Sequence, residues 1–133
     1  MLQVQNINVS YGSIHAIHDV SLEVHEGEIV SLIGANGAGK TTILKTISGL
    51  LKSVGGTITY EGKNLQKQNA PKIVAAGISQ VPEGRHIFPG MSVRENLQMG
   101  AFLQNNRAEI DASFETVYSR FPVLKERLNQ DAA

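Results

Sequence analysis

The sequence has no cysteine, which excludes disulfides and thiolate-bound metals. It has no surplus of either charge. Twelve basic residues balance 12 acidic ones in a chain of 133, so bulk electrostatics direct it neither to nucleic acid nor to an anionic membrane surface. No apolar run approaches the roughly 20 residues that span a bilayer. The opening MLQVQN has neither a basic start nor an apolar core, so no secretory leader is read there and a cytosolic protein is expected. Internal repeats and low-complexity segments are missing too. What remains is one domain's length of chain, or part of a domain, long enough to bury a core.

Against this background one stretch stands out: EIVSLIGANGAGKTTILKTISGLL, from Glu28 to Leu51. Gly34, Gly39, Lys40 and Thr41 have the G-x-x-x-x-G-K-[ST] spacing of a phosphate-binding P-loop. The flanks give that spacing its weight. Before the loop, Ile29, Val30, Leu32 and Ile33 form a nearly continuous apolar run, which predicts a strand buried on both faces of a parallel sheet. After it, Ile43, Leu44, Ile47, Leu50 and Leu51 recur at helical spacing. Asn36-Gly37 alone would also suit a hairpin, but a hairpin is followed by a strand of period two, and this loop is followed by a helical period.

The residue types suit a polyphosphate. Glycines at 34, 37 and 39 let backbone N–H groups close around an anion with no Cβ in the way, and the head of the next helix adds unpaired N–H groups and the positive end of its dipole. Lys40 is expected to reach the β/γ-phosphates and the Thr41 hydroxyl to ligate Mg²⁺. The expected nucleotide cradle is Gly34, Asn36, Gly37, Ala38, Gly39, Lys40, Thr41 and Thr42.

Elsewhere the patterning alternates between strand and helix. Leu2 and Val4 lie in one phase and Ile7, Val9 and Tyr11 in the other, so the first strand is expected to change phase near Gln5-Asn6, as a bulge would make it do. Tyr11-Gly12-Ser13 reads as a turn. A second strand follows through Ile17 and Val20 to Val24, with Val20, Leu22 and Val24 facing a core. His15 and His18 have the spacing of a metal pair, but an odd separation on a strand puts two rings on opposite faces and no third ligand stands nearby, so both are read as ordinary strand residues. Thr57 to Tyr60 is a β-branched strand ending in the turn Glu61-Gly62. Asn69 and Pro71 start a short helix that Gly77 stops. Ile78 to Val81 predicts another strand, whose end carries the turn Pro82-Glu83-Gly84-Arg85, the kind of place where open α/β sheets bind ligands. Ser92 and Glu95 form a capping box for a helix to about Leu103. A further helix presents Ile110, Phe114, Val117 and Tyr118 on one face and ends at Phe121-Pro122.

Taken together, Tyr11, the loop GANGAGKTT from Gly34 to Thr42 and QVPEGRHIFPGMSVRENL from Gln80 to Leu97 resemble the ATP-binding subunits of ABC transporters. The last segment is most similar to the branched-chain amino-acid importers. The resemblance covers essentially the whole chain and implies an α/β fold: a P-loop core with an N-terminal antiparallel β subdomain over residues 1–91, and the start of a helical subdomain over 92–133. It implies that Tyr11 stacks on adenine; a core-packed aromatic is the alternative. It implies that the loop position usually held by a glutamine contacting Mg²⁺ and the attacking water falls, counting back from Pro89, on Glu83 and not on Gln80. A carboxylate can still ligate Mg²⁺; the alternative is a turn residue paired with Arg85. ATP and Mg²⁺ as cofactors, a second ATP-binding subunit and membrane permease subunits as partners, and a position on the inner face of the membrane follow from the same resemblance.

Family features are also missing. The only aspartates are Asp19, Asp111 and Asp131, none after an apolar run, and neither a LSGGQ-type signature nor a catalytic glutamate and later histidine is found. The resemblance therefore implies the N-terminal part of a longer protein, unable to turn ATP over by itself. Other readings are a soluble, non-transport ABC ATPase, an importer of another small solute, or a nucleotide-binding module without activity. A small GTPase would need D-x-x-G and N-K-x-D, which are absent, and nucleotide kinases carry the P-loop nearer the N-terminus.

Overall fold

The first strand changes face in mid-course, and the sheet is organised by that change. In the computed structural model, which describes residues 1–133, β1 (Leu2–Tyr11) pairs antiparallel with β2 (Ile14–Val24) and with β3 (Gly55–Tyr60). The β1–β2 register slips between Val4 and Ile7, where Asn6 takes the left-handed conformation at φ 50°. That single αL residue lets Val4, Ile7 and Val9 all point into the core, each no more than 1% exposed. Across the pair Asp19 is also left-handed, and Asn6 Nδ2 donates to its carboxylate at 2.7 Å. β4 (Lys63–Asn64) closes a four-stranded sheet of order β2-β1-β3-β4. Glu61 and Gly62 both have positive φ, as a type I′ hairpin requires.

Two compact units divide the chain, Met1–Val81 and Pro82–Ala133. In the first, Ile43 and Ile47 of α1 (Lys40–Ile47) join Val4, Ile7, Val9, Ile17 and Ile58 in one core. α1 stops at a Schellman motif: Gly49, at φ 81°, and Leu50 donate back to Thr46 and Lys45. The helix is therefore shorter than its apolar spacing predicts, and Leu44 and Leu50 are exposed. α2 (Ala70–Ala75) starts at Asn69, whose side chain accepts from the Lys72 amide at 3.1 Å.

Two expected strands do not form. Residues 28–33 and 78–81 join no sheet, and Ile29, Ile33 and Val81 are more than 90% exposed. A strand buried in a parallel sheet needs neighbours to satisfy its amides and carbonyls on both sides. All four strands of this chain are antiparallel and form a single sheet, so the apolar run has the composition of a central strand without a ladder to join.

The histidine reading is corrected as well. The rings of His15 and His18 stack at 5.1 Å and so share a face. Register shifts between Ile7 and Ser10 give β2 extra residues opposite β1, and each extra residue inverts the alternation on which the opposite-face argument depends.

In the second unit, α3 (Val93–Gly100) begins at the expected capping box, Ser92 and Glu95 each satisfying the other's backbone amide. The Ser92 backbone and hydroxyl donors hold the Glu95 carboxyl below its ordinary range, so the cap is complete above that range and is lost as pH falls through the lowered value. Asn96 fixes the preceding loop by accepting from the Phe88 amide and donating to the carbonyls of Phe88, Met91 and Ser92. α4 (Arg107–Arg120) is followed directly by a short α5 (Pro122–Glu126), because proline, having no amide to satisfy, suits the first turn of a new helix. No helix is long and apolar enough to cross a membrane.

Candidate functional site

The loop from Gly34 to Gly39 combines a tight turn with two left-handed glycines. Ala35 to Ala38 form a turn closed by the Ala38 amide on the Ala35 carbonyl at 3.1 Å, with Gly37 left-handed at φ 85°. Gly39 follows at φ 99° as the N-cap of α1. Its missing side chain is a requirement twice over: a Cβ there would overlap the Ile17 Cδ1 methyl and stand 3.1 Å from the Ala16 carbonyl. Strand β2 thus seats the loop. This contact could not be read from the sequence, because it depends on where the bulged β2 passes.

Gly39 offers no side chain to cap α1, and the first turn carries no acidic residue. The first amides of the helix are therefore available to an external acceptor at the positive end of its dipole. The Lys40 ammonium donates to the carbonyls of Gly34 and Ala35, the latter at 2.9 Å. The two threonines differ. Thr41 is exposed, whereas Thr42 is buried and its Oγ1 lies 3.4 Å from the Tyr11 hydroxyl. Of the pair, Thr41 has the hydroxyl free to meet a hydrated cation.

Tyr11 is 46% exposed, which excludes the core-packed alternative. Its hydroxyl lies beside Thr42 of α1, and Tyr11 and residues 34–42 belong to one unit. Glu83 belongs to the other unit, exposed in the bend Glu83–Gly84, and forms no ion pair with Arg85. Gln80, set aside in favour of Glu83, has a different engagement: its Oε1 accepts from the buried Ser48 hydroxyl at 2.7 Å, tying the segment after α2 to the end of α1. No spacing rule links residues 48 and 80, so the sequence held no signal for this bond.

The sequence profile described as "ABC transporter" matches residues 17–132. The chain belongs to the ABC transporter family. It is 45% identical over 99% of its length to the high-affinity branched-chain amino acid transport ATP-binding protein BraG of Pseudomonas aeruginosa, and covers 56% of that protein. It is 40% identical over 73% of its length to LivG of Salmonella typhimurium, a protein of the same description, covering 38% of it. The ribose import ATP-binding protein RbsA of a Jannaschia species is 33% identical over 97% of this chain, which covers 25% of RbsA. Among solved structures, an ATP-binding subunit of an ABC transporter superposes over 98% of the chain with a TM-score of 0.85 at 29% identity, with 54% of that subunit covered. A dimeric ATP-binding cassette described as bound to ADP and Pi shares the fold at a TM-score of 0.81 and 20% identity. The chain spans 25–56% of the length of these curated relatives.

Proposed function

We propose that the chain is the nucleotide-binding part of an ATP-binding subunit that drives branched-chain amino-acid uptake through separate membrane subunits. The observation that carries this reading is the 45% identity to BraG, sustained over 99% of the chain. The P-loop alone would suit many NTPases; the likeness through residues 80–97 narrows the class. Ribose import relatives match at 33% and support the broader reading, an importer of a small solute. A subunit of this kind works in the cytoplasm against the inner face of the membrane, paired with a second copy or a related subunit. In this reading residues 1–91 carry the core and 92–133 begin a helical subdomain.

Each residue has a role by its chemistry. The loop amides of Gly37 and Gly39 and the first amides of α1 bind the phosphates, with Gly34, Asn36 and Ala38 shaping the loop. Lys40 neutralises the β/γ-phosphates and Thr42 holds Tyr11 against α1. The exposed Thr41 hydroxyl is a hard oxygen donor that suits Mg²⁺, and the family resemblance alone gives the Glu83 carboxylate the same role. When bound, the ion supplies charge compensation for phosphoryl transfer. The family test is made in cells: Lys40→Ala in the gene should abolish branched-chain amino-acid uptake and leave ribose uptake intact, whereas loss of ribose uptake alone would move the assignment to the sugar importers. In the same assay Glu83→Ala should lower uptake while its nucleotide affinity, titrated on the purified protein, changes less, and Glu83→Gln should retain uptake. Unchanged uptake in Glu83→Ala reduces Glu83 to a turn residue.

Adenine is held by stacking. Tyr11→Ala should weaken ATP binding by about 1–3 kcal/mol, as aromatic–base stacking does elsewhere. Tyr11→Phe gives up only a 3.4 Å hydroxyl contact and should cost less than about 1 kcal/mol. Discrimination between ATP and GTP should be weak in the wild type, since a π-face reads no base edge. A strong preference for ATP that survives Tyr11→Ala would place the base elsewhere.

The 133 residues supply no carboxylate to polarise the attacking water, so the chain alone should bind nucleotide weakly and release no phosphate above a Lys40→Ala blank. Turnover above that blank would reveal a catalytic carboxylate among Asp19, Asp111, Asp131 and the glutamates.

A further inference from the structure

Asn36-Gly37 is the one Asn–Gly step in the chain; the other asparagines are followed by larger residues. It lies at the centre of the turn closed between Ala35 and Ala38, and both residues are exposed. Nothing stands within 4 Å of the position a Gly37 Cβ would take. The Asn36 carboxamide and the Gly37 amide take part in no hydrogen bond, whereas the carboxamides of Asn6, Asn8, Asn64, Asn69, Asn96 and Asn106 are all engaged. An unhindered amide nitrogen thus follows an unrestrained carboxamide. The Lys40 ammonium on the Ala35 carbonyl and the positive end of α1 favour negative charge at this turn.

We propose that Asn36-Gly37 is a self-modification site that converts to aspartate and isoaspartate in the ligand-free chain and that bound nucleotide protects. The Gly37 nitrogen, losing its proton to solvent base, attacks Asn36 Cγ. The new N–Cγ bond forms as the Cγ–amide nitrogen bond breaks, and ammonia leaves. Water then opens the five-membered imide at either carbonyl. Attack at Cγ gives aspartate, and attack at the backbone carbonyl gives isoaspartate with the main chain rerouted through the side chain. No oxidant or cofactor is required. Either product puts a carboxylate in the phosphate loop, and isoaspartate also lengthens the backbone there. The protection and the loss of affinity rest on the nucleotide-binding reading; the conversion itself does not.

The experiment incubates the purified 133-residue chain at mildly alkaline pH, with and without Mg-ADP well above its Kd. Peptide mapping follows the gain of about one dalton at each asparagine, and an isoaspartate assay runs alongside. Asn36 should convert at least tenfold faster than Asn105 or Asn129, Mg-ADP should slow it severalfold, and the converted chain should lose most of its ADP affinity. Asn36→Gln should show no conversion at this position under the same conditions, because its longer side chain closes a six-membered imide far more slowly. Conversion of Asn36 no faster than that of Asn129 overturns the proposal while leaving nucleotide binding intact. Fast conversion that Mg-ADP does not slow, in a chain that binds ADP, overturns the protection. Fast conversion in a fresh chain that never binds ADP contradicts the nucleotide-binding reading and, with it, the protection.

Discussion

Replacing Lys40 with alanine should weaken nucleotide binding by roughly 10- to 150-fold, equivalent to about 1.5–3 kcal/mol for a charge-assisted contact to phosphate. The starting point of the ammonium sets the size of this loss. In the chain as it folds, Lys40 donates to the carbonyls of Gly34 and Ala35, so binding exchanges carbonyl acceptors for phosphate oxygens. The net gain comes from the phosphate charge and is far below the gross strength of a buried ion pair. Lys40 contributes little to the core, so the unfolding midpoint of Lys40→Ala should stay near that of wild type. Equal affinities in a titration of the two proteins would remove the P-loop from the account.

Gly56→Ala should have the largest effect on the fold. Gly56 sits at φ 75° on β3, opposite the bulge of β1, and a Cβ there would overlap the carbonyl oxygens of Gln5 and Asn6. These are backbone atoms of β1 at its bulge, so neither can swing aside as a side-chain methyl could. The left-handed conformation alone costs a non-glycine residue about 1–3 kcal/mol, and overpacking adds about 1–3 kcal/mol. A loss of that order is a large part of the 5–15 kcal/mol typical of a domain. Gly62→Ala is the matched control, with φ 77° and nothing within 4 Å of its Cβ, and should cost only the conformational part. Urea unfolding of the two variants separates the effects. Similar midpoints would mean that the Gly56 backbone yields and that the bulge does not fix the register.

The bulge itself was legible, because the change of hydrophobic phase between Val4 and Ile7 demands an extra residue. Caps were legible for the same local reason: Asn69, Ser92 and Glu95 act within three residues of themselves. What failed depends on partners distant in sequence. The strand expected at Ile29 to Ile33 has the right composition, yet a strand is a property of a pair, and this chain provides it no neighbour. The stacked His15 and His18 defeated a parity argument that holds only on an unbulged strand. At the candidate site, the expectation for the glycines, Lys40 and Thr41 rests on phosphate chemistry, which restricts residue type at fixed spacing. The seat that Ala16 and Ile17 provide for Gly39 and the Ser48–Gln80 bond were not legible.

Binding of a nucleotide's phosphates by residues 34–42 should be visible amide by amide. It is tested most directly by titrating the isotope-labelled chain with Mg-ADP and following each backbone amide by NMR. The amides of Gly37, Gly39, Lys40 and Thr41 should shift together and saturate at one affinity, with Tyr11 moving beside them and α4 unchanged. Saturating shifts elsewhere that leave these amides unmoved, or no saturable shift at all, would contradict it.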